Sequence, residues 1–113
     1  MSADSSPLSS EAVAELLRPS AAPAFFAALG NPLRWQMVKL LRDGGAMSAS
    51  QMAKLLSRDF DGVSKHLRVL RQAGVVRSQP GEDRRVEMFY IAEENRPQPG
   101  VLQWGTVRLD QTA

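Results

Sequence analysis

Leu33, Met37, Leu40 and Leu41 fall on one face of a 3.6-residue repeat, so "NPLRWQMVKLLRDGG" reads as an amphipathic helix. Asn31 suits its N-cap, Pro32 its first helical position, and Gly44 or Gly45 its stop. The same grammar recurs upstream. "SSEAVAELL" is a short helix capped by Ser9 or Ser10 and ended by Pro19, with Glu11 and Glu15 toward its positive N-terminal end. "APAFFAAL" is a second helix, with Pro23 in its first turn and Gly30 as its C-terminal cap. In "MSASQMAKLL", Ser48 and Gln51 make a capping box, and Met47 and Met52 occupy the staple positions around it.

A four-residue connection, "LSRD", leads to "DFDGVSKHLRVLRQAGVV", where Asp59 caps a helix that Gly74 ends. On a helical wheel Val63, Leu67 and Leu70 share one face, and Asp61, Ser64, Lys65, Arg68 and Gln72 share the opposite one. Beyond Gly74 the pattern alternates. "VVRSQ", "PGED" and "RRVEMFYI" read as a β-hairpin about a Pro-Gly turn, with Val86, Met88 and Tyr90 on one side. Pro97, Pro99 and Gly100 rule out a long helix over "AEENRPQPG", and "VLQWGTVRL" reads as one more strand. Residues 1–8 carry no pattern and are expected to be disordered.

These elements predict a mainly α chain with a small β-hairpin. Short helix, tight turn, second helix and hairpin give a winged helix-turn-helix: a three-helix core plus wing, with an extra C-terminal strand. The expected organisation is an N-terminal arm with a short helix (1–19), a DNA-binding unit (20–92), and a Pro-containing linker with a C-terminal strand or tail (93–113).

The net charge is only +2, but it is uneven: residues 58–85 carry seven Lys/Arg against four Asp/Glu. A basic concentration on one segment fits a nucleic-acid partner better than a membrane. No apolar run approaches a membrane span, and the N-terminus lacks the pattern of a signal peptide, which points to the cytoplasm. The chain has no cysteine, so disulfides and thiolate metal or redox sites are excluded. His66 is the sole histidine, at the edge of an apolar face, and a structural role fits it better than a metal. No cofactor, metal site or catalytic set is expected.

The candidate DNA-binding residues follow from chemistry. Lys65 and Arg68 can neutralise phosphates, and Arg68 can bind guanine through two hydrogen bonds. Ser64 can bond base or phosphate, and Phe60 and Gln72 flank the same face. Ser48, Ser50 and Gln51 open a helix whose hydroxyls and N-terminal amides suit phosphates, although capping alone explains Ser48 and Gln51. Arg84 and Arg85 belong to the hairpin tip, where a wing reaches a minor groove or flanking phosphates. Two readings of Asp61 stand side by side: stabilisation of the helix start by the helix dipole, or acceptance of a hydrogen bond from cytosine N4. Gly62 costs helix propensity, and either a close approach of backbone to DNA or the packing of Phe60 would explain it. Phe25, Phe26 and Leu29 are candidates for a dimer interface.

"ALGNPLRWQMVKLL", "MSASQMAKLL" and "VSKHLRVLRQAGVVRSQPGEDRRVEMFYI" resemble the arsenic-repressor-type (ArsR/SmtB) winged-helix transcription regulators over roughly residues 24–91. The resemblance implies a homodimer that binds double-stranded operator DNA and often releases it to an inducer. It maps the reading helix onto Phe60–Ala73 and the wing onto Val75–Ile91. Where metal-sensing members carry a Cys-x-Cys pair, this chain has Ser48 and Ser50, and prolines break the region of their C-terminal helix. The dimer interface is therefore expected on the Pro23–Leu29 helix, the N-terminal helix and the 101–109 strand. The function expected is a homodimeric, sequence-specific repressor with no membrane partner and an unidentified small-molecule or protein effector. The alternative is a winged-helix protein-interaction module that does not bind DNA.

Overall fold

The computed structural model describes residues 7–20 and 22–110, so most of the start expected to be disordered lies outside the described residues. Among the described residues, five α-helices form where the caps place them: α1 Ser10–Leu16, α2 Ala22–Leu29, α3 Pro32–Gly44, α4 Ala49–Leu56 and α5 Phe60–Gln72. Ser9, Asn31, Ser48 and Asp59 each accept a hydrogen bond from a first-turn amide, which satisfies a donor the helix itself leaves unpaired. At the far end of α5, Gly74 takes φ +83°. Val75 N–H then bonds the Leu70 carbonyl at 2.9 Å and Gly74 N–H the Arg71 carbonyl at 3.0 Å, which is the Schellman closure.

The turn between α4 and α5 is made without glycine. Ser57 adopts the left-handed conformation at φ 53°, and Arg58 N–H reaches the Ala53 carbonyl at 3.0 Å. This closure ends α4 within one residue and sends α5 across it. Met37, Val38 and Leu41 of α3, Met52 of α4 and Val63, Leu67 and Leu70 of α5 fill the core between them. Burial of those side chains is the main driving force holding the three helices together.

The wing is a three-stranded antiparallel sheet ordered β1 (Met47–Ser48), β3 (Glu87–Tyr90), β2 (Arg77–Pro80). Met47 pairs with Phe89, and Ser78 pairs with Phe89 on its other side. The turn lies further along than the Pro-Gly pair suggests. Pro80 belongs to β2 opposite Glu87, Gly81 N–H bonds the Val86 carbonyl at 2.8 Å, and Val86 N–H bonds the Asp83 carbonyl at 2.9 Å. Proline is tolerated because β2 is an edge strand and the missing N–H faces away from β3. Phe89 and Ile91 turn into the core, whereas Val86, on the other parity, stays exposed.

The C-terminal region makes two strands, not one. After a 3₁₀ turn at Glu93–Asn95, β4 (Val101–Trp104) and β5 (Val107–Asp110) pair antiparallel, with Leu102 opposite Leu109. Gly105, at φ 59°, supplies the left-handed residue that a two-residue hairpin turn needs. Val101 and Leu102 are fully buried, and Trp104 meets Phe25 edge-on at 5.1 Å. The hairpin is thus a packed part of the body. α1 contrasts with it, since none of its residues is buried.

Candidate nucleic-acid interface

α4, α5 and the wing meet around a cleft of about 410 Å³, lined by Ser48, Ala49, Ser50, Phe60, Asp61, Ser64, Arg68, Arg85, Val86, Glu87 and Phe89. Of the residues anticipated from sequence, Ser48, Ser50, Phe60, Asp61, Ser64, Arg68 and Arg85 converge here. Gln51, Lys65, Gln72 and Arg84 are exposed but lie off the cleft wall. The floor has an apolar contribution from Phe89, and Phe60 stands at the entrance with half its surface in solvent.

The two serines of α4 differ in what they can offer. Ser48 is buried, its hydroxyl accepts from Gln51 N–H at 3.1 Å, and the Gln51 side chain accepts from Ser48 N–H at 2.9 Å. Capping therefore occupies both side chains. Ser50 is exposed one residue into the helix, next to the amides that favour an anion.

On α5 the acidic start resolves into separate tasks. The Asp59 carboxylate accepts from Gly62 N–H at 2.9 Å. A Cβ on residue 62 would stand 3.2 Å from that carboxylate, so glycine leaves room for the cap. Asp61 faces the cleft with no hydrogen-bond or ion-pair partner among the described residues. Further along, Arg68 runs back along the helix, its Nε 3.4 Å from the Ser64 carbonyl.

The wing tip is organised by an acid as well. Arg84 and Arg85 sit on the turn itself, and Asp83 accepts from Arg85 N–H and from Arg85 Nε, each at 3.1 Å. These side-chain and backbone hydrogen bonds hold the Asp83 carboxyl below its ordinary value. The Arg85 side chain stays almost wholly in solvent, so the pairing orients it without removing it from the surface.

Arg71 is the residue that the helical pattern alone does not reveal. From the last turn of α5 it donates to Ser78 Oγ on β2 at 3.0 Å and pairs with Glu87 on β3. Its guanidinium lies 5.8 Å from the Phe89 ring centroid. One side chain thus ties the helix to both long strands of the wing. The single sequence clue is that Arg71, seven residues after Ser64, falls at the edge of the outward face where it borders the buried one. His66 is a second tie. Its Nδ1 lies 3.2 Å from Arg34 Nη1, and Arg34 Nε donates to the Ala28 carbonyl at 2.8 Å, joining α5 to the end of α2. Burial, then the charges of Arg34 and Arg58, push the His66 imidazole below its ordinary value, so it accepts as the neutral ring. Among the described residues no group of His, Asp and Glu is placed to hold a metal ion, and no helix is long and apolar enough to cross a membrane.

Proteins of related sequence and of related structure point to one class. An uncharacterised HTH-type transcriptional regulator of Methanocaldococcus jannaschii, MJ1325, is 29% identical over 73 residues, covering 65% of this chain and 80% of the relative. The crystal structure of the ArsR family transcriptional regulator RHA00566 is 25% identical with a TM-score of 0.56, over 66% of this chain and 79% of that one. The homodimeric winged helix-turn-helix DNA-binding domain Mb0332 of Mycobacterium bovis is 23% identical with a TM-score of 0.61, over 80% of this chain and 79% of that one. The fold is therefore the winged helix-turn-helix shared with ArsR-type transcription regulators. Residues 30–94, which hold α3, the helix-turn-helix and the whole wing, match the HVO_A0114 family, and the chain belongs to it.

Proposed function

We propose that this chain is a homodimeric, cytoplasmic transcription regulator that represses by occupying operator DNA. α5 enters the major groove and the β2–β3 wing lies on the flanking backbone or minor groove. The observation that carries the reading is the convergence of Ser50, Asp61, Ser64 and Arg68 with the wing's Arg85 around one cleft. Lys65, Gln72 and Arg84 extend that surface outward, and Ser48 and Gln51 hold the start of α4 in place. Residues 20–92 form the DNA-binding unit. Relatives described as transcription regulators and as a homodimeric DNA-binding domain support the same function. The dimer is supported further by apolar side chains left uncovered on α1 and α2: Leu16 and Leu17 are 70% and 77% exposed, and Phe26 is 52% exposed. Phe25 and Leu29, on the same helix as Phe26, pack partly inward and set its orientation.

The test is a binding titration with the protein's own upstream DNA against random DNA at two salt concentrations. Specific binding should weaken steeply with salt, and Arg68→Ala should lose about 1–3 kcal/mol if its guanidinium reads guanine. Loss confined to a reduced salt slope would place Arg68 on a phosphate. Unchanged affinity, with the fold intact, would sink this docking mode and favour a protein partner for the cleft.

A further inference from the structure

The two edges of the β4–β5 hairpin are treated differently. In a two-residue hairpin the closing pair, here Trp104 and Val107, exchanges both backbone hydrogen bonds, and the ladder then alternates. The N–H and C=O groups of Val101 and Gln103 therefore point out of β4, and those of Arg108 and Asp110 point out of β5. On the β4 side both residues find partners. Val101 N–H donates to the Gln98 carbonyl at 3.0 Å, and the Gln103 carbonyl accepts from Asn95 Nδ2 at 2.9 Å. On the β5 side no described residue meets the backbone groups of Arg108 or Asp110. The wing protects its own outer edge with Pro80, whereas β5 has neither proline nor bulge.

We infer that a second copy of this chain occupies the β5 edge, with β5 pairing antiparallel to β5 of that copy about a twofold axis at Leu109. The inference rests on the homodimer proposed above and assigns it a surface and a register. Hydrogen-bond parity admits only pairings between outward-facing residues: Arg108 with Arg108, Asp110 with Asp110, or Arg108 with Asp110. The first two set like charges directly opposite each other, which is destabilising. The third sets each arginine opposite the aspartate of the other copy, twice over by symmetry. Both side chains lie on the exposed face of the strand and are already 3.9 Å apart within one chain, so they are free to share partners.

The other face of the same strand supports the same occupant. Leu109 and Val107 line an almost wholly apolar groove of about 290 Å³ with Phe26, Leu29 and Trp35. Pairing at Leu109 places the second copy's Leu109 beside this groove and joins the two hairpins into one four-stranded sheet. The groove shares no residue with the DNA-facing cleft, so the two surfaces can be occupied together.

The experiment is sedimentation velocity on the full chain over a range of concentrations, with circular dichroism to check folding. Arg108→Asp and Asp110→Arg should each weaken self-association about tenfold or more, because attraction at both symmetric pairs becomes repulsion. An equimolar mixture of the two variants should associate again, since the charges then match in trans and in no other way. Leu109→Cys supplies the only thiol in the chain and should form an intermolecular disulfide on mild oxidation. Wild-type dimers with both variants unaffected, or variants that dissociate without recovery on mixing, would overturn the sheet pairing and leave the homodimer standing. A wild-type chain that stays monomeric throughout would overturn both. Should a charge variant fail to fold, the Leu109→Cys variant, otherwise wild type, decides the register: a cross-link supports it and the lack of one overturns it.

Discussion

Replacing Arg71 with methionine tests whether the wing is held to the reading helix by one side chain. Methionine keeps an apolar stem against Phe89 and removes the guanidinium. Three interactions are lost: the ion pair with Glu87, the hydrogen bond to Ser78, and the cation–π contact with Phe89. The ion-pair side chains are 36% and 44% exposed, so solvent screens it to about 0.5 kcal/mol. The hydrogen bond adds about 0.5–1 kcal/mol and the ring contact about 0.5 kcal/mol. The expected loss is therefore about 1.5–2 kcal/mol, or a fall in Tm of roughly 6–8 °C for a chain of this size. Urea denaturation followed by circular dichroism measures it, and a cycle with Glu87→Gln should show a coupling of about 0.5 kcal/mol that fades in salt. A second consequence concerns DNA. Glu87 lines the cleft, and without Arg71 its charge would face the phosphates of DNA docked as proposed. Arg71→Met should weaken DNA binding although Arg71 is not on the cleft wall, and adding Glu87→Gln should recover part of the loss. Unchanged stability and unchanged affinity in Arg71→Met would refute the latch.

Other positions give independent checks. Ser57→Gly removes the strain of a non-glycine residue at φ 53° and, after the entropy glycine adds to the unfolded chain, should stabilise by about 0.5 kcal/mol in the same denaturation assay. His66 has a folded-state pKa below its unfolded value of about 6.5, so its contribution is complete above that pH and is lost as pH falls through the window below it. Thermal melts between about pH 7 and 5 should show this decline in the wild type and a flatter profile in His66→Gln, which keeps an acceptor for Arg34; parallel profiles would remove His66 from the account. Asp61→Asn removes the one acid on the cleft wall that has no partner among the described residues. Competition binding should show tighter association with random DNA and a smaller preference for the operator. A proportional gain on both DNAs would make Asp61 a helix-dipole residue only.

Local chemistry makes much of this fold legible. The caps at Ser9, Asn31, Ser48 and Asp59 and the Schellman glycine at position 74 act through neighbours within a few residues, so a short window of sequence contains their cause. The wing turn shows where that ends. Pro80-Gly81 is a good turn pair in isolation, but edge strands tolerate proline, and the hydrogen bond from Gly81 to Val86 carries the strand past it. Likewise "VLQWGTVRL" has the alternation of one strand, and only the left-handed Gly105 folds it back on itself. The short β1 strand at Met47–Ser48 is invisible to pattern because two residues carry no period; it exists through its pairing with β3. Of the site, the outward face of α5 is legible from the wheel. Arg71 is not, because its partners Ser78 and Glu87 lie across a turn and its importance exists only in three dimensions.

The weak net charge of the chain is misleading as a guide to its partner, because the acids near the reading surface are largely spent on structure. Asp59 closes the start of α5, Asp83 orients the wing-tip Arg85, and Glu87 is neutralised by Arg71. A charge count sets these acids against the cations as though both faced the ligand. Lys65, Arg68 and Arg84, by contrast, are exposed and have no ion-pair partner among the described residues. Pairing spends cations as well as acids: Arg71, Arg77 and Arg85 are each held by a carboxylate, so the cations of α5 and the wing left to face a ligand are Lys65, Arg68 and Arg84. Asp61 and, on the wing turn, Glu82 are acids that no described neighbour neutralises, and of the two only Asp61 lies on the cleft wall. The helix dipole gives such a group one use on any surface, and the proposed reading of a base edge gives it a second, at a cost in affinity for phosphates that only a sequence-specific surface recovers.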